Sequence, residues 1–334
     1  MALVQRIANR SKDYLLFNAL LEKFWLGRAR GNVTALLYHQ VDSPERSSFL
    51  SRGGSPVITP EAFRTELLFL LNRGARFFTF EQLVSGNFPK PDEFGVAVCF
   101  DDCFLNNYTQ GLAVLEEVGV KATFFQSTAM VDARQLIWEH RLYWHTRDDE
   151  RGIAFKHIAE KAIPQDSRVG ALSARRLVEY LRESVPFEIC ARVLEVADVQ
   201  LASPGEIERV VQQIYPTATH LRSAKSLGHE IGSHGHHHYK RTNISSAVFE
   251  QELEQSSVVL QAILGERPVS FSYPFDSHLP TDVEVCRRHF RGAATVARRR
   301  IERDTNPMWL PRFTWPGPAK NGLRLRRWLL TGTI

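Results

Sequence analysis

The chain has 334 residues, a formal net charge of +5, 43% hydrophobic residues and 24% charged residues. That length suits one large α/β barrel or two medium domains, with the composition of an ordinary globular protein. The charge is too small to point to nucleic acid, and no apolar run reaches the roughly 20 residues of a membrane-spanning helix.

Residues 1–30 read as an amphipathic helical extension. Leu3, Ile7, Leu15, Leu16, Leu20, Phe24 and Trp25 are apolar, with Arg and Lys between them. Such a helix either packs on the rest of the protein or lies on an anionic membrane surface. The apolar stretch from Tyr14 to Leu21 ends at Glu22-Lys23, without a small-residue cleavage site. Cys99, Cys103, Cys190 and Cys286 form no C-x-x-C pair and read as free thiols of a reducing compartment. The expectation is a cytoplasmic enzyme, with a peripheral contact to the inner membrane if the helix lies on lipid.

Residues 31–334 read as the main domain. Strands are expected at 34–38, 76–80, 96–100 and 122–125. The helix opened by Thr59-Pro60-Glu61 should run to about Arg73 and stop at Gly74. A second should run to about Val118 and stop at Gly119. Residues 132 to about 222 hold helical patterns (137–144, 175–182, 206–214) and read as a helical insertion. Strands resume at 229–233, 269–272 and 293–296. This βα alternation implies a parallel sheet with helices outside it. The basic tail from Arg324 to Trp328 reads as solvated surface.

Polar residues fall where these strands end. His39 follows the first strand, Asp101 and Asp102 the third apolar run, and His234 the strand near Ile231. Tyr273-Pro274-Phe275-Asp276 follows the strand near Phe271. Barrels of parallel strands place their active sites at that end. Two adjacent carboxylates repel unless something neutralises one; a metal on one would leave the other free as a base. His234 and His238 are four apart, a spacing that a helical turn would bring to one side. Two imidazoles and a carboxylate are a common divalent-metal set.

With these motifs in order, the chain resembles the polysaccharide deacetylases, the NodB-homology or carbohydrate esterase family 4 group. Cys99-Phe100-Asp101-Asp102-Cys103 is similar to the family's T-F-D-D-G. The run from Gly228 to His234, completed by His238, is similar to its G-H-E-I-G-S-H context and H-[ST]-x-x-x-H motif. Leu36-Leu37-Tyr38-His39 and Phe271-Ser272-Tyr273-Pro274-Phe275 resemble its first and third segments. The resemblance covers 33–132 and about 225–315. It implies Asp101 as the catalytic base acting on water at the metal. It implies Asp102, His234 and His238 as ligands of a divalent metal, usually zinc, and a backbone N–H near Phe275 as an oxyanion donor. Tyr273, Pro274, Phe275 and His39 become candidate substrate contacts, and an acetylated carbohydrate the partner.

Three departures stand out. Cys103 and Ser272 replace the family's usual Gly and base-orienting Arg, and no His follows His289 to act as the late general acid. Arg312 is a candidate partner for the base, and His278 or His39 a candidate acid. Trp138-Glu139-His140 and Tyr143-Trp144-His145 read as a buried helix face, although such aromatics can also stack on sugars.

The expected fold is a distorted (β/α) barrel of about seven strands with the helical insertion. The expected activity is hydrolysis of a sugar N-acetyl group. The same centre acting on another amide or an O-acetyl ester stays open, as does a carbohydrate-binding barrel without turnover.

Overall fold

The computed structural model describes residues 26–43, 49–50, 56–201 and 205–314. Residues 1–25 of the expected N-terminal helix and the basic tail lie outside them. The strands in chain order are β1 (Val33–Tyr38), β2 (Gln40–Val41), β3 (Val57–Ile58), β4 (Arg76–Phe77), β5 (Gly95–Phe100), β6 (Thr123–Gln126), β7 (Glu230–Ser233), β8 (Ser270–Ser272), β9 (Gly292–Val296) and β10 (Leu310–Thr314). Seven of them, β5 to β10 and β1, close a parallel ring. Closure comes from β1 and β5, which pair along their whole length from Val33 opposite Gly95 to Tyr38 opposite Phe100. Both are buried at every position, which is why they read as nearly continuous apolar runs, with Thr34 the one polar residue. β4 pairs only with the start of β5 and stays outside the ring; β2 and β3 form a separate pair.

Helix α1 (Pro60–Leu71) starts as expected, with the Thr59 hydroxyl accepting from the Ala62 N–H. Two elements differ from expectation. The strand at 76–80 stops at Phe77, because Thr79 and Gln82 form a capping box that opens α2 (Phe80–Val84). Residues 310–314, expected as no particular element, form β10 and complete the barrel. Leu310 and Pro311 pair with β9, while Phe313 and Thr314 pair with β1. Pro311 therefore stands in the half of β10 not paired with β1, where its missing N–H is tolerated.

Helix α3 (Leu112–Val118) ends at Gly119 in the left-handed region. The insertion follows β6 as α4 (Trp138–His145), α5 (Asp149–Ala162), α6 (Arg168–Ala171), α7 (Ala174–Glu183), α8 (Phe187–Leu201) and α9 (Glu206–Ile214). It has its own apolar core, including Leu142, Phe155, Leu177 and Leu194. That core also takes in Phe104, Met130 and Phe275, from loops after β5, β6 and β8. The insertion is thereby seated over the carboxyl ends of the strands. Helix α10 (Ala218–Ser226) sends Leu221 and Ala224 into the barrel core, so by packing it goes with the barrel. The outer wall is continued by α11 (Ser246–Leu264) and α12 (Asp282–His289). All four cysteines are free and buried. No described helix is long and apolar enough to cross a membrane.

Candidate metal centre and catalytic pocket

A cavity of about 400 Å³ opens at the carboxyl ends of the barrel strands. The barrel lines it with His39, Asp101, Asp102, His234, His238 and Phe275. The insertion adds Glu139, His140, Tyr143 and Arg182.

Asp101 is held by two groups. Arg312 Nη1 donates to Oδ1 at 2.6 Å and Nη2 to Oδ2 at 2.9 Å. Ser272 Oγ donates to Oδ2 at 3.1 Å and accepts from Arg312 Nη2 at 2.8 Å. So Ser272 leaves the space that Arg312, entering from β10, fills. Arg312 is fully buried. Burial works to raise the Asp101 carboxyl, but the charge and hydrogen bonds of Arg312, together with the neighbouring His234 and His39, outweigh it and hold the group below its ordinary range.

Asp102, His234 and His238 form a buried group able to hold a metal ion, with one donor atom from each within 4.8 Å of the others. Asp102 Oδ1 lies 3.1 Å from His238 Nε2 and 3.5 Å from His234 Nε2. Ligands on a tetrahedral zinc, at about 2.0–2.1 Å from the ion, are about 3.3 Å apart, so the set fits. The other ring nitrogens are engaged behind the site. His234 Nδ1 donates to the Ser272 carbonyl at 2.8 Å, and His238 Nδ1 donates to Glu139 Oε2 at 3.0 Å. Both imidazoles thus present Nε2 to Asp102. Burial works against charge on His238, yet Asp102 and Glu139 lift it to about 10. The two carboxylates thus favour positive charge at this imidazole.

The route by which His234 and His238 meet corrects the expectation of a helical turn. Residues 234–238 are a loop, with Gly235 at φ +75° and His238 at φ +60°. Left-handed non-glycine residues gather around the site: Asp102, Cys103, His238, Phe275 and Asp276 are five of the six among the described residues. Each is an uncommon conformation, held by the packing around it. Cys103, at φ +58°, adopts the conformation for which glycine would be the cheaper residue.

Not every candidate reaches the cavity. Tyr273 is buried, with its hydroxyl on Cys286 Sγ at 3.3 Å. Pro274 is buried beneath the turn. His278 packs between Tyr273 and Trp309, its Nδ1 on the Asp276 carbonyl at 2.9 Å, and does not line the cavity. Phe275 does, with its ring 4.6 Å from that of His238. His39 lines it too, and its Nδ1 is buried with no hydrogen-bond partner among the described residues.

Sequence reasoning assigned no role to Glu139 or Arg182, and took Tyr143 only as part of a buried helix face or as a sugar-stacking aromatic. Glu139 Oε1 accepts from the Tyr143 hydroxyl, which in turn accepts from Arg182 Nη1 at 2.7 Å. The available signal was a carboxylate within a helix face of Trp, Leu and Tyr, where a buried acid needs partners.

The family model for polysaccharide deacetylases matches residues 89–161 and 206–289, which contain Asp101, Asp102, His234 and His238. The chain belongs to the polysaccharide deacetylase family. In this deacetylase-family chain, residues 162–205 and Arg312 fall outside the match. No curated protein sequence matches it. Solved structures of similar fold include the Streptococcus pyogenes deacetylase PplD in complex with acetate (15% identity, TM-score 0.54, covering 86% of this chain and 93% of that one). IcaB from Ammonifex degensii is similar at 16% identity and TM-score 0.55, covering 90% and 98%. A de-N-acetylase from Aggregatibacter actinomycetemcomitans is similar at 13% identity and TM-score 0.55, covering 88% and 99%. At these identities the likeness is one of fold.

Proposed function

We propose that this family member is a metal-dependent hydrolase that removes N-acetyl groups from a carbohydrate. One relationship carries the reading. Asp101 is oriented by Arg312 and Ser272, while Asp102, 3.1 Å from His238, faces the two imidazoles. Two adjacent carboxylates therefore have separate environments and separate work.

In this reading Asp102, His234 and His238 hold a divalent metal, with zinc the best match to a His₂Asp donor set. The metal, when bound, polarises the acetyl carbonyl and makes water easier to deprotonate. Asp101 takes the proton from the attacking water as the new C–O bond forms. A backbone N–H near Phe275 would donate to the developing oxyanion. The C–N bond then breaks and the leaving nitrogen takes a proton, giving acetate and a free amine. Of the two candidate acids, His39 is the better placed, because it lines the cavity and His278 does not.

The test offers the zinc-loaded protein a panel of N-acetylated, N-formylated and O-acetylated sugars. Acetate release from the N-acetylated members is expected. Formate release or ester cleavage alone would move the activity to another bond. Bound zinc with no turnover would leave a carbohydrate-binding barrel.

A further inference from the structure

The insertion grips a single residue of the barrel at two points. Glu139 Oε2 accepts from His238 Nδ1 at 3.0 Å, and the indole N–H of Trp138 donates to the His238 backbone carbonyl at 3.2 Å. Both donor and acceptor come from the first turn of α4. His238 is the residue that needs them, because it follows β7 on a loop and sits at φ +60°, where a residue with a Cβ is costly to hold. The other histidine, His234, takes its orienting contact from the backbone of β8 and needs nothing from the insertion.

The far side of Glu139 is also fixed. The Tyr143 hydroxyl donates to its second oxygen, and Arg182 of α7 reaches the same oxygen at 3.4 Å. Glu139 is buried, so a carboxylate there needs this compensation. The helices α4 and α7 thus form a rigid mount behind one imidazole.

We propose that Glu139 and Trp138 are positioning residues for His238, so that the helical insertion is a working part of the metal centre rather than an appended lid. The inference rests on the reading of Asp102, His234 and His238 as metal ligands. The Glu139 carboxylate fixes the tautomer that turns Nε2 toward Asp102 and makes that nitrogen a stronger donor. Trp138 holds the backbone in the left-handed turn that aims the ring.

The test measures zinc affinity of the full chain by competition with a chromophoric chelator, in wild type, Glu139→Gln, Glu139→Ala and Trp138→Phe. Outer contacts of this type typically change metal affinity by about 10–100-fold. Glu139→Ala is expected near the upper end and Glu139→Gln near the lower, since the amide oxygen still accepts from Nδ1–H. Trp138→Phe keeps an aromatic ring, though a smaller one, and loses the N–H, and should weaken binding several-fold. Thermal melting of each metal-free protein reports folding separately; if a Glu139 variant does not fold, Trp138→Phe and Tyr143→Phe decide. Affinities within twofold of wild type in folded variants would overturn the inference. A wild type that binds no divalent metal would instead overturn the underlying reading of the metal centre.

Discussion

Arg312 on β10 donates both terminal nitrogens to the two oxygens of Asp101, which stands 211 residues earlier at the end of β5. A forked guanidinium on a carboxylate fixes orientation as well as charge. Arg312→Lys keeps the charge but loses the fork. It should lower kcat by about 100-fold with little change in KM, the scale of a displaced catalytic group. Steady-state kinetics check this; an unchanged kcat would remove Arg312 from the machinery.

The same pair governs stability. Arg312→Met leaves Asp101 as a buried, uncompensated carboxylate and should cost about 3–5 kcal/mol in denaturant unfolding. Adding Asp101→Asn removes the stranded charge and should restore most of that loss. A double variant no more stable than Arg312→Met would contradict the coupling.

The proposed metal dependence rests on the buried Asp102, His234 and His238 set. Chelator treatment should abolish acetate release, and added zinc should restore it. Asp102→Asn replaces a charged ligand with a weak neutral one, so purified variant protein should hold well under one zinc per chain. Elemental analysis reads this directly.

His140 introduces a pH dependence of stability. It lies buried against the Tyr215 hydroxyl at 2.6 Å, and burial pushes it down to about 4. The hydroxyl accepts from the Ile137 N–H, so it donates to a neutral imidazole. The unfolded chain takes up this proton near pH 6.5, the folded one only near 4. The stability due to neutral His140 is therefore present above pH 6.5 and lost as pH falls toward 4. Between pH 7 and pH 5 the loss should be about 2 kcal/mol. His140→Gln should lack that component, as measured by denaturant unfolding at the two pH values.

Gly232 marks a close approach within the barrel. A Cβ there would lie 2.7 Å from the Phe125 ring and 2.7 Å from Ser270 Oγ. Gly232→Ala should destabilise by about 1–3 kcal/mol through overpacking. Because Gly232 lies in β7, two residues before His234, zinc affinity should fall with it.

The parts of the site legible in the sequence were those carried by one strand and its end. Val96 to Phe100 reads as a buried strand, and Asp101-Asp102 follow where the chain leaves the sheet. Arg312 could be suspected but not placed, because β10 contains Pro311 and a fully buried Arg, neither of which reads as a central strand. Glu139 was hidden for a different reason. Its partner lies 99 residues on, and only the seating of the insertion brings the two together. Residues 78–80 show the reverse case. Phe78-Thr79-Phe80 favours a strand, but Thr79 and Gln82 carry a capping signal that wins locally.

The division of labour between the two aspartates is tested most directly by one comparison on Asp101→Asn. Zinc content and acetate release from an N-acetylated oligosaccharide are measured on the same preparation, beside wild type. Asp101 as base and not ligand predicts one zinc per chain with acetate release reduced about 100- to 10,000-fold. Turnover near wild type, or loss of the zinc, would contradict it.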